Sequence, residues 1–194
     1  MSVSLAKGGS VSLTKEAGSS QLTSVTVGLG WDPRDGFGAV FDLDASAIVL
    51  GASGKALSDS EFVFYNNTRN PSGAVVYGGD NRTGEGDGDD ETIAINLPLL
   101  PAEAQSVVFL VSIDMGIERG QSFGVVDNAF IRVVNNSDGR ELARFDLTDG
   151  ATSDVALSFG ELFRDGGDWK FQAIGDGYSG GLVAALANYG INAG

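Results

Sequence analysis

One short acidic segment concentrates the side chains that can bind a cation. Within residues 79–91 (GDNRTGEGDGDDE), glycines separate several of the acidic residues. Like charges this close raise the free energy of a folded loop unless cations or water screen them. Calcium takes about six to eight oxygen ligands, and glycine lets the backbone curl so that carbonyl groups can join the carboxylates. The segment therefore favours a hard divalent cation. Its carboxylates and amide are Asp80, Asn81, Glu85, Asp87, Asp89, Asp90 and Glu91.

The acidic segment matches no standard motif for an ion or a nucleotide. It lacks the Asp-x-Asp-x-Asp-Gly start of an EF-hand and the Glu that closes such a loop. Its stretch NRTGEGDG also lacks the GxxxxGK order of a phosphate-binding loop. The cation site is therefore predicted from composition and spacing, and a solvated loop stays its alternative.

A second pair of carboxylates occurs in the segment FDLDASA at residues 41–47. Asp42 and Asp44 are two residues apart, so in a β-strand their side chains project to the same face. Two like charges side by side are unfavourable unless they face water or share a cation. From the strand pattern alone, facing water is the favoured interpretation.

Two asparagines in the segment FVFYNN supply amide oxygens as further candidates. Asn66 and Asn67 follow a predicted strand at 62–66, and another strand is predicted at 74–77. If these strands form a hairpin through NTRNPSG, the asparagines lie at its turn and the acidic segment leaves from the opposite end. The residues by themselves therefore favour a role in the turn.

The residue types that the chain lacks exclude several chemistries. The sequence contains no cysteine and no histidine, which excludes disulfides, a Cys-type zinc site and a Ser-His-Asp triad. A metal must then be held by oxygen, which favours calcium or magnesium. Twelve basic and 26 acidic residues give a net charge of −14, which repels nucleic acid and anionic membranes. No apolar run approaches the roughly 18 residues of a membrane helix. We expect a cytoplasmic protein without direct membrane insertion.

Many short strands predict a single all-β domain over residues 1–194. The apolar runs are rich in Val, Ile, Phe and Thr and are bounded by Gly, Asn, Asp or Pro. This pattern is typical of a two-sheet antiparallel β-sandwich. The predicted strands are 23–30, 39–50, 62–66, 74–77, 92–97, 107–113, 129–135, 141–147, 155–159 and 169–174.

Four segments predict how the strands are connected and flanked. SVSL occurs at 2–5 and again at 10–13, which predicts an opening hairpin. NNSDGRE predicts another hairpin, with positive φ angles at Asp138 and Gly139. GELFRD at 160–165 predicts a helical turn. GGLVAALANYG at 180–190 predicts a short amphipathic C-terminal helix that covers one edge or face of the sandwich.

With these motifs in view, the chain resembles the TerD family, the tellurite-resistance and general stress-response proteins of bacteria. Matching segments run nearly end to end in the family's order and spacing. The resemblance implies a β-sandwich that binds calcium ions through acidic loops. It also implies a role in resistance to tellurite and other stresses, alongside partner proteins of the same system. The segments are GLGWD at 28–32, FDLDASA at 41–47, FVFYNN at 62–67, GDNRTGEGDGDDE at 79–91, RGQSFGVVDNAFIRVV at 119–134 and GELFRDGGDWKFQAIGDGY at 160–178.

The resemblance also assigns candidate calcium ligands. In the matched acidic loop they are Asp80, Asp87, Asp89, Asp90 and Glu91, and the segments FDLDASA and FVFYNN add Asp42, Asp44, Asn66 and Asn67. One departure is SIDMGIERGQ at 112–121, where relatives commonly carry an aromatic residue in place of Asp114. The family has no settled enzymatic activity, which agrees with the missing histidine and cysteine.

We therefore expect a calcium-binding, non-enzymatic module of a bacterial tellurite-resistance or general stress response. It would act through calcium-ordered acidic loops and through binding to other proteins of that system. One alternative is a calcium-dependent sandwich that binds a carbohydrate or a phosphate headgroup. Another is a metal-dependent hydrolase that uses a water molecule on the bound cation. Tellurite is itself an anion, and the negative charge of the protein repels it. Any resistance to tellurite that the protein confers would therefore be indirect.

Overall fold

Two six-stranded sheets pack face to face, which confirms the predicted β-sandwich. The structure, a computed structural model, describes residues 2–18, 22–32, 41–79, 88–147 and 153–192. The first sheet contains, in spatial order, β1 (Val3–Leu5), β10 (Glu141–Asp146), β9 (Asp127–Asn135), β3 (Ser24–Asp32), β7 (Glu91–Asn96) and β6 (Val75–Tyr77). The second contains β2 (Ser10–Ser12), β12 (Asp168–Tyr178), β11 (Ala156–Asp165), β8 (Ser106–Ile113), β4 (Leu43–Leu50) and β5 (Phe62–Val63).

Alternate residues of the strands build the core between the sheets. On β4, Leu43, Ala45 and Val49 join one apolar cluster with Ile93 and Ile95 of β7. Because successive side chains of a strand point to opposite faces, the residues between them on β4 face away from this core. The period of two in the sequence therefore decides which side chains of β4 are available for a site on the outer face.

A C-terminal helix covers the outer face of the second sheet, as the sequence predicts. Helix α3 (Gly181–Asn188) buries Ala185 and Leu186 against Ile48 and Leu110 in a second, smaller apolar cluster. The described residues also contain the short helices α1 (Leu13–Glu16) and α2 (Gly116–Arg119) and the 3₁₀ turns Asp59–Glu61, Leu97–Leu99 and Phe123–Val125.

Two local predictions are wrong because distant strands compete for the same backbone. The SVSL repeats do not form a hairpin, since β1 pairs in parallel with β10 while β2 pairs with β12 in the other sheet. Residues 160–165 do not form a helical turn, since they continue β11 and pair with both β8 and β12. A helix there would lose both ladders and would expose Leu162, which is fully buried.

The predicted hairpin between 62–66 and 74–77 is also wrong. Strand β5 pairs with β4 in the second sheet, whereas β6 pairs with β7 in the first. The chain reverses in a tight turn in which the backbones of Phe64 and Asn67 exchange two hydrogen bonds of 3.0 Å. Thr68 then accepts from the backbone of Tyr77, so the chain has crossed between the sheets.

The hairpin predicted for NNSDGRE is confirmed as the β9–β10 connection, with one difference. Gly139 has a φ of 71° and donates to the carbonyl of Asn135 at 2.8 Å. Asp138 does not adopt a positive φ among the described residues. Its carboxylate instead accepts from the Arg140 side chain at 2.7 Å, which closes the same turn through a side-chain contact.

The strand directions bring several acidic connections to one end of the sandwich. In the first sheet Leu29 lies opposite Glu91, and in the second sheet Leu43 lies opposite Ile113. The end of β3, the starts of β7 and β4, and the end of β8 therefore meet there. We call this region the acidic end. The acidic residues described there include Asp32, Asp42, Asp44, Asp89, Asp90, Glu91, Asp114, Glu118, Asp127, Asp146 and Asp154.

Candidate metal site

Glu91 connects the two acidic segments that the sequence singles out. It is only 1% exposed, and its side chain projects from β7 between the sheets. Its Oε2 accepts a hydrogen bond of 2.5 Å from the backbone N–H of Ala45, the residue after Asp44. Strand β5 pairs with Ala47 and Ile48 of β4. The residues of β4 before Ala47 therefore continue past the end of β5 toward the acidic end. A buried carboxylate is costly unless it is hydrogen-bonded, paired or bound to a metal, so this contact anchors the loop to β4.

Asp90 is held at the end of β3. Its Oδ2 accepts from the backbone N–H of Trp31 at 2.9 Å, and its own N–H donates to the carbonyl of Leu29 at 2.8 Å. The Trp31 side chain is buried in the core between the sheets. These bonds extend the β3–β7 ladder by one residue and fix the direction in which the acidic segment leaves the sheet.

Asp89 lies over the outer face of the first sheet, paired with an arginine from β9. Its Oδ1 accepts from Nε of Arg132 at 2.7 Å and its Oδ2 from Nη2 at 3.0 Å, and its side chain is 13% exposed. A Cβ on Gly28 would lie 2.2 Å from the Asp89 carboxyl carbon, so only glycine leaves room for this pair. The Asp89 hydrogen bonds raise the pKa of Arg132 above its ordinary value, although burial opposes them.

Sequence reasoning missed Arg132 as part of this end of the molecule. Arg132 lies directly opposite Gly28 on β3, and its Nη1 also contacts Oε2 of Glu141 at 3.3 Å. A single arginine among alternating apolar residues in AFIRVV was the available signal. The signal could not name a partner, because the partner lies 43 residues away in the chain.

Asp42 and Asp44 lie on the outer side of β4, as their spacing predicts. Leu43, which lies between them, and Ala45, which follows Asp44, face the core. Asp44 lines a cleft on the outer face of the second sheet together with Asp114. The carbonyl of Asp42 accepts from the backbone N–H of Asp114 at 2.8 Å. The residue that departs from the family pattern therefore lies beside one of the candidate ligand pairs.

The two asparagines have different surroundings. Asn67 donates from its side-chain amide to the carbonyl of Phe62 at 2.6 Å, which fits the predicted role in a turn. Asn66 is exposed at the tip of that turn, and its neighbour Tyr65 lines the same cleft as Asp44. The turn therefore lies at the acidic end and not, as the hairpin prediction required, at the opposite end.

The described residues do not complete a cation site by themselves. Asp89, Asp90 and Glu91 diverge to the outer face, the sheet end and the interior, and within the described ranges no three acidic side chains come together as a metal-binding group. Asp80 and Asp87 lie outside the described residues. The donors that remain at this end are carboxylate, amide and carbonyl oxygens, which are the ligands that calcium prefers.

The comparison with known families decides which family this fold and these motifs represent. The sequence pattern of the TerD domain matches residues 1–189, nearly the whole chain. The chain belongs to the TerD family. This assignment confirms the resemblance carried by the GLGWD, FDLDASA and GDNRTGEGDGDDE segments.

Individual TerD relatives are similar over their full length. Tellurium resistance protein TerD of Serratia marcescens is 54% identical over 193 residues, which cover all of both chains. General stress protein 16U of Bacillus subtilis (strain 168) is 46% identical over 196 residues, again covering both chains fully. A crystal structure of a homologue of telluride resistance protein (TerD), SCO6318 from Streptomyces coelicolor A3(2), has a TM-score of 0.69 at 25% identity. It covers 85% of this chain and 95% of its own.

These similarities place the chain among tellurium-resistance and stress-response proteins, and the relatives named above do not carry the names of enzymes. Within the described ranges, no helix has the length and apolar character needed to cross a membrane. The cytoplasmic location expected from the sequence stays a prediction.

Proposed function

We propose that this TerD-family protein is a calcium-binding, non-enzymatic module of a bacterial tellurite-resistance or general stress response. It acts through acidic loops that calcium orders and through binding to other proteins of that system. The hydrogen bond from Ala45 to Glu91 carries the proposal. It ties the acidic segment before β7 to the Asp42–Asp44 segment before and within β4, so donors from both can face one region.

The residues at the acidic end divide into anchors and candidate ligands. Glu91 and Asp90 are fixed by backbone N–H groups, and Asp89 is fixed by Arg132. These contacts frame the loop from which Asp80 and Asp87 would donate. Asp42, Asp44 and Asn66 are the candidate donors from the neighbouring connections. A bound calcium ion supplies the positive charge that offsets the repulsion among these carboxylates.

Isothermal calorimetry with calcium and with magnesium tests the proposal. We expect calcium to bind more tightly, because magnesium gives up its water shell reluctantly and demands octahedral geometry. The double variant Asp42→Asn/Asp44→Asn should weaken calcium binding by about tenfold or more, since two charges are removed with little change in shape.

A matched control removes two carboxylates from the other end of the sandwich. Asp59 and Glu103 are both exposed there. The variant Asp59→Asn/Glu103→Gln changes the net charge by the same amount and should leave the calcium affinity unchanged. Equal weakening in both variants would show that only net charge matters, and equal affinities for magnesium and calcium would contradict a dedicated calcium site.

A further inference from the structure

A concave surface lies on the outer face of the second sheet, beside the N-terminal end of α3. It encloses about 270 Å³ and is open to solvent. We call it the α2–α3 cleft. Its walls come from β4, the turn after β5, the end of β8, helix α2 and the start of α3. The lining residues used below are Asp44, Tyr65, Asp114, Met115, Ile117, Glu118 and Val183.

Exposed apolar side chains concentrate around this cleft. Tyr65, Met115, Ile117 and Val183 are 47–64% exposed, and all four line it. Single exposed apolar side chains are ordinary, but a cluster around a concave surface marks an interaction site. In the described part of the chain, the remaining large exposed apolar residues are Leu57 and Leu99, which lie in connections at the other end of the sandwich.

The same cleft carries negative charge next to its apolar wall. Asp44, Asp114 and Glu118 line it, and Arg119 forms an ion pair of 3.5 Å with Asp114. The whole chain adds a net charge of −14. An acidic rim around an apolar surface complements a ligand that is both cationic and apolar, because unlike charges steer the encounter and the apolar contact supplies affinity.

The apolar wall is presented by a fixed turn of backbone. Met115 adopts a left-handed conformation with φ 50°, which is uncommon for a residue with a side chain, and α2 ends at Gly120 with φ 63°. Arg119 donates to the carbonyl of Asp114 at 3.3 Å across the same turn. Methionine is unbranched and adapts to the shape of a bound side chain, which suits a docking surface.

We propose that the α2–α3 cleft docks a short segment of a partner protein in which two adjacent apolar side chains are flanked by lysines or arginines. The cleft volume of about 270 Å³ lies just below the range for ligand pockets, about 300–1,000 Å³, and suits two side chains. A second copy of this chain presents the same acidic face and is repelled, as is an anionic membrane. The inference deepens the partner-binding part of the proposed function and does not depend on its calcium part.

Fluorescence anisotropy with three labelled peptides tests this docking surface in the presence of EDTA. The probe peptide is GKKFLKKG, and its controls are GKKSSKKG, which lacks the apolar pair, and GEEFLEEG, which reverses the charge. We expect GKKFLKKG to bind, GKKSSKKG to bind about tenfold more weakly or worse, and GEEFLEEG not to bind. Equal affinity for the first two, or no binding of GKKFLKKG below about 1 mM, would overturn the proposal.

Two matched variants locate the binding. Ile117→Ser/Val183→Ser removes two exposed side chains of the cleft, and Leu57→Ser/Leu99→Ser removes two exposed side chains elsewhere. We expect about tenfold weaker GKKFLKKG binding for the first variant and no change for the second, with similar melting temperatures for both. Equal affinities in the two variants, or a dimer that the first variant abolishes, would contradict the proposal. The peptide assay contains EDTA and no calcium. A failed calcium titration would therefore count against the proposed function, and a failed peptide assay would count against the docking surface.

Discussion

At the scale of single residues, the acidic end is built from carboxylates that are already held by neutral or cationic donors. Glu91 and Asp90 accept from backbone N–H groups, and Asp89 accepts twice from Arg132. Mutual repulsion is therefore only part of their energetics. The side chains that fix the loop and the side chains that would bind a cation are separable by mutation.

The Asp89–Arg132 pair provides the residue-scale prediction. In EDTA, Asp89→Asn should lower the free energy of unfolding by about 1–2 kcal/mol, because it removes a two-point contact to a charged, half-buried guanidinium. Denaturant melts of Asp89→Asn, Arg132→Met and the double variant should give a positive coupling energy. The control cycle uses Asp138→Asn, Arg140→Met and their double variant, because this 2.7 Å pair is more exposed and should give no measurable coupling energy. An Asp89→Asn protein with the same free energy of unfolding as the wild type would contradict the anchoring role.

At the scale of elements, α3 is attached to the second sheet by apolar packing and by a partly buried hydroxyl cluster. Ser158 on β11 contacts the hydroxyl of Tyr189 at 2.7 Å and that of Tyr178 at 3.0 Å. Ala185 and Leu186 supply the apolar contacts. Since the start of α3 forms one wall of the α2–α3 cleft, this attachment also positions the docking surface.

The element-scale prediction concerns alkaline pH. Burial raises the pKa of Tyr189 well above its ordinary value of 10.0; the hydrogen bond with Ser158 opposes this shift and the contact with Tyr178 adds to it. The folded state thus keeps the neutral phenol where the unfolded chain ionises. This contribution is complete below pH 10 and is lost as the pH rises toward the folded-state pKa.

The variant Tyr189→Phe checks this sign. It should be less stable at pH 7 by about 1 kcal/mol, because a partly buried hydrogen bond to Ser158 is lost. Its stability should decline less than that of the wild type between about pH 9 and 11, because one ionising group has been removed. Urea melts of the wild type and the variant at about pH 9 and 11 give the comparison. Equal losses of stability in the two proteins would contradict the buried-phenol interpretation.

At the scale of the whole molecule, the charge is distributed unevenly as well as being strongly negative. The acidic side chains behind the net charge of −14 repel one another throughout the fold. Added salt screens this repulsion without binding at any specific site. The acidic end concentrates carboxylates from both sheets. General screening and specific cation binding should therefore be distinguishable by where carboxylates are removed.

The whole-molecule prediction compares thermal melts in EDTA, in KCl and in calcium at matched ionic strength. A cation that binds only the folded state stabilises it by about 2.7 kcal/mol at a hundredfold excess over Kd. For a domain of this size, the melting temperature should rise by roughly 5–10 °C. KCl should give a smaller shift that all variants share. Asp42→Asn/Asp44→Asn should lose the calcium shift and Asp59→Asn/Glu103→Gln should keep it. An unchanged wild-type melt in calcium would refute calcium binding to the folded state.

The sequence by itself determined the features that depend on local alternation and on residue chemistry. Period-two runs placed most strands, and the apolar spacing of Leu182, Ala185 and Leu186 predicted α3. The missing histidine and cysteine restricted any metal ligand to oxygen. The resemblance carried by motifs such as FDLDASA also identified the family that the comparison confirms. These properties follow from neighbouring residues, whose geometry is nearly independent of the rest of the chain.

The tertiary structure decided everything that depends on which distant segments meet. Strand pairing sent β5 and β6 to different sheets and so brought Asn66 to the acidic end. It placed Arg132 opposite Gly28 and thereby gave Asp89 a partner. It also gathered Met115, Ile117 and Val183 around one cleft. Local preference cannot select among such pairings, because their energies come from contacts between residues that are far apart in sequence.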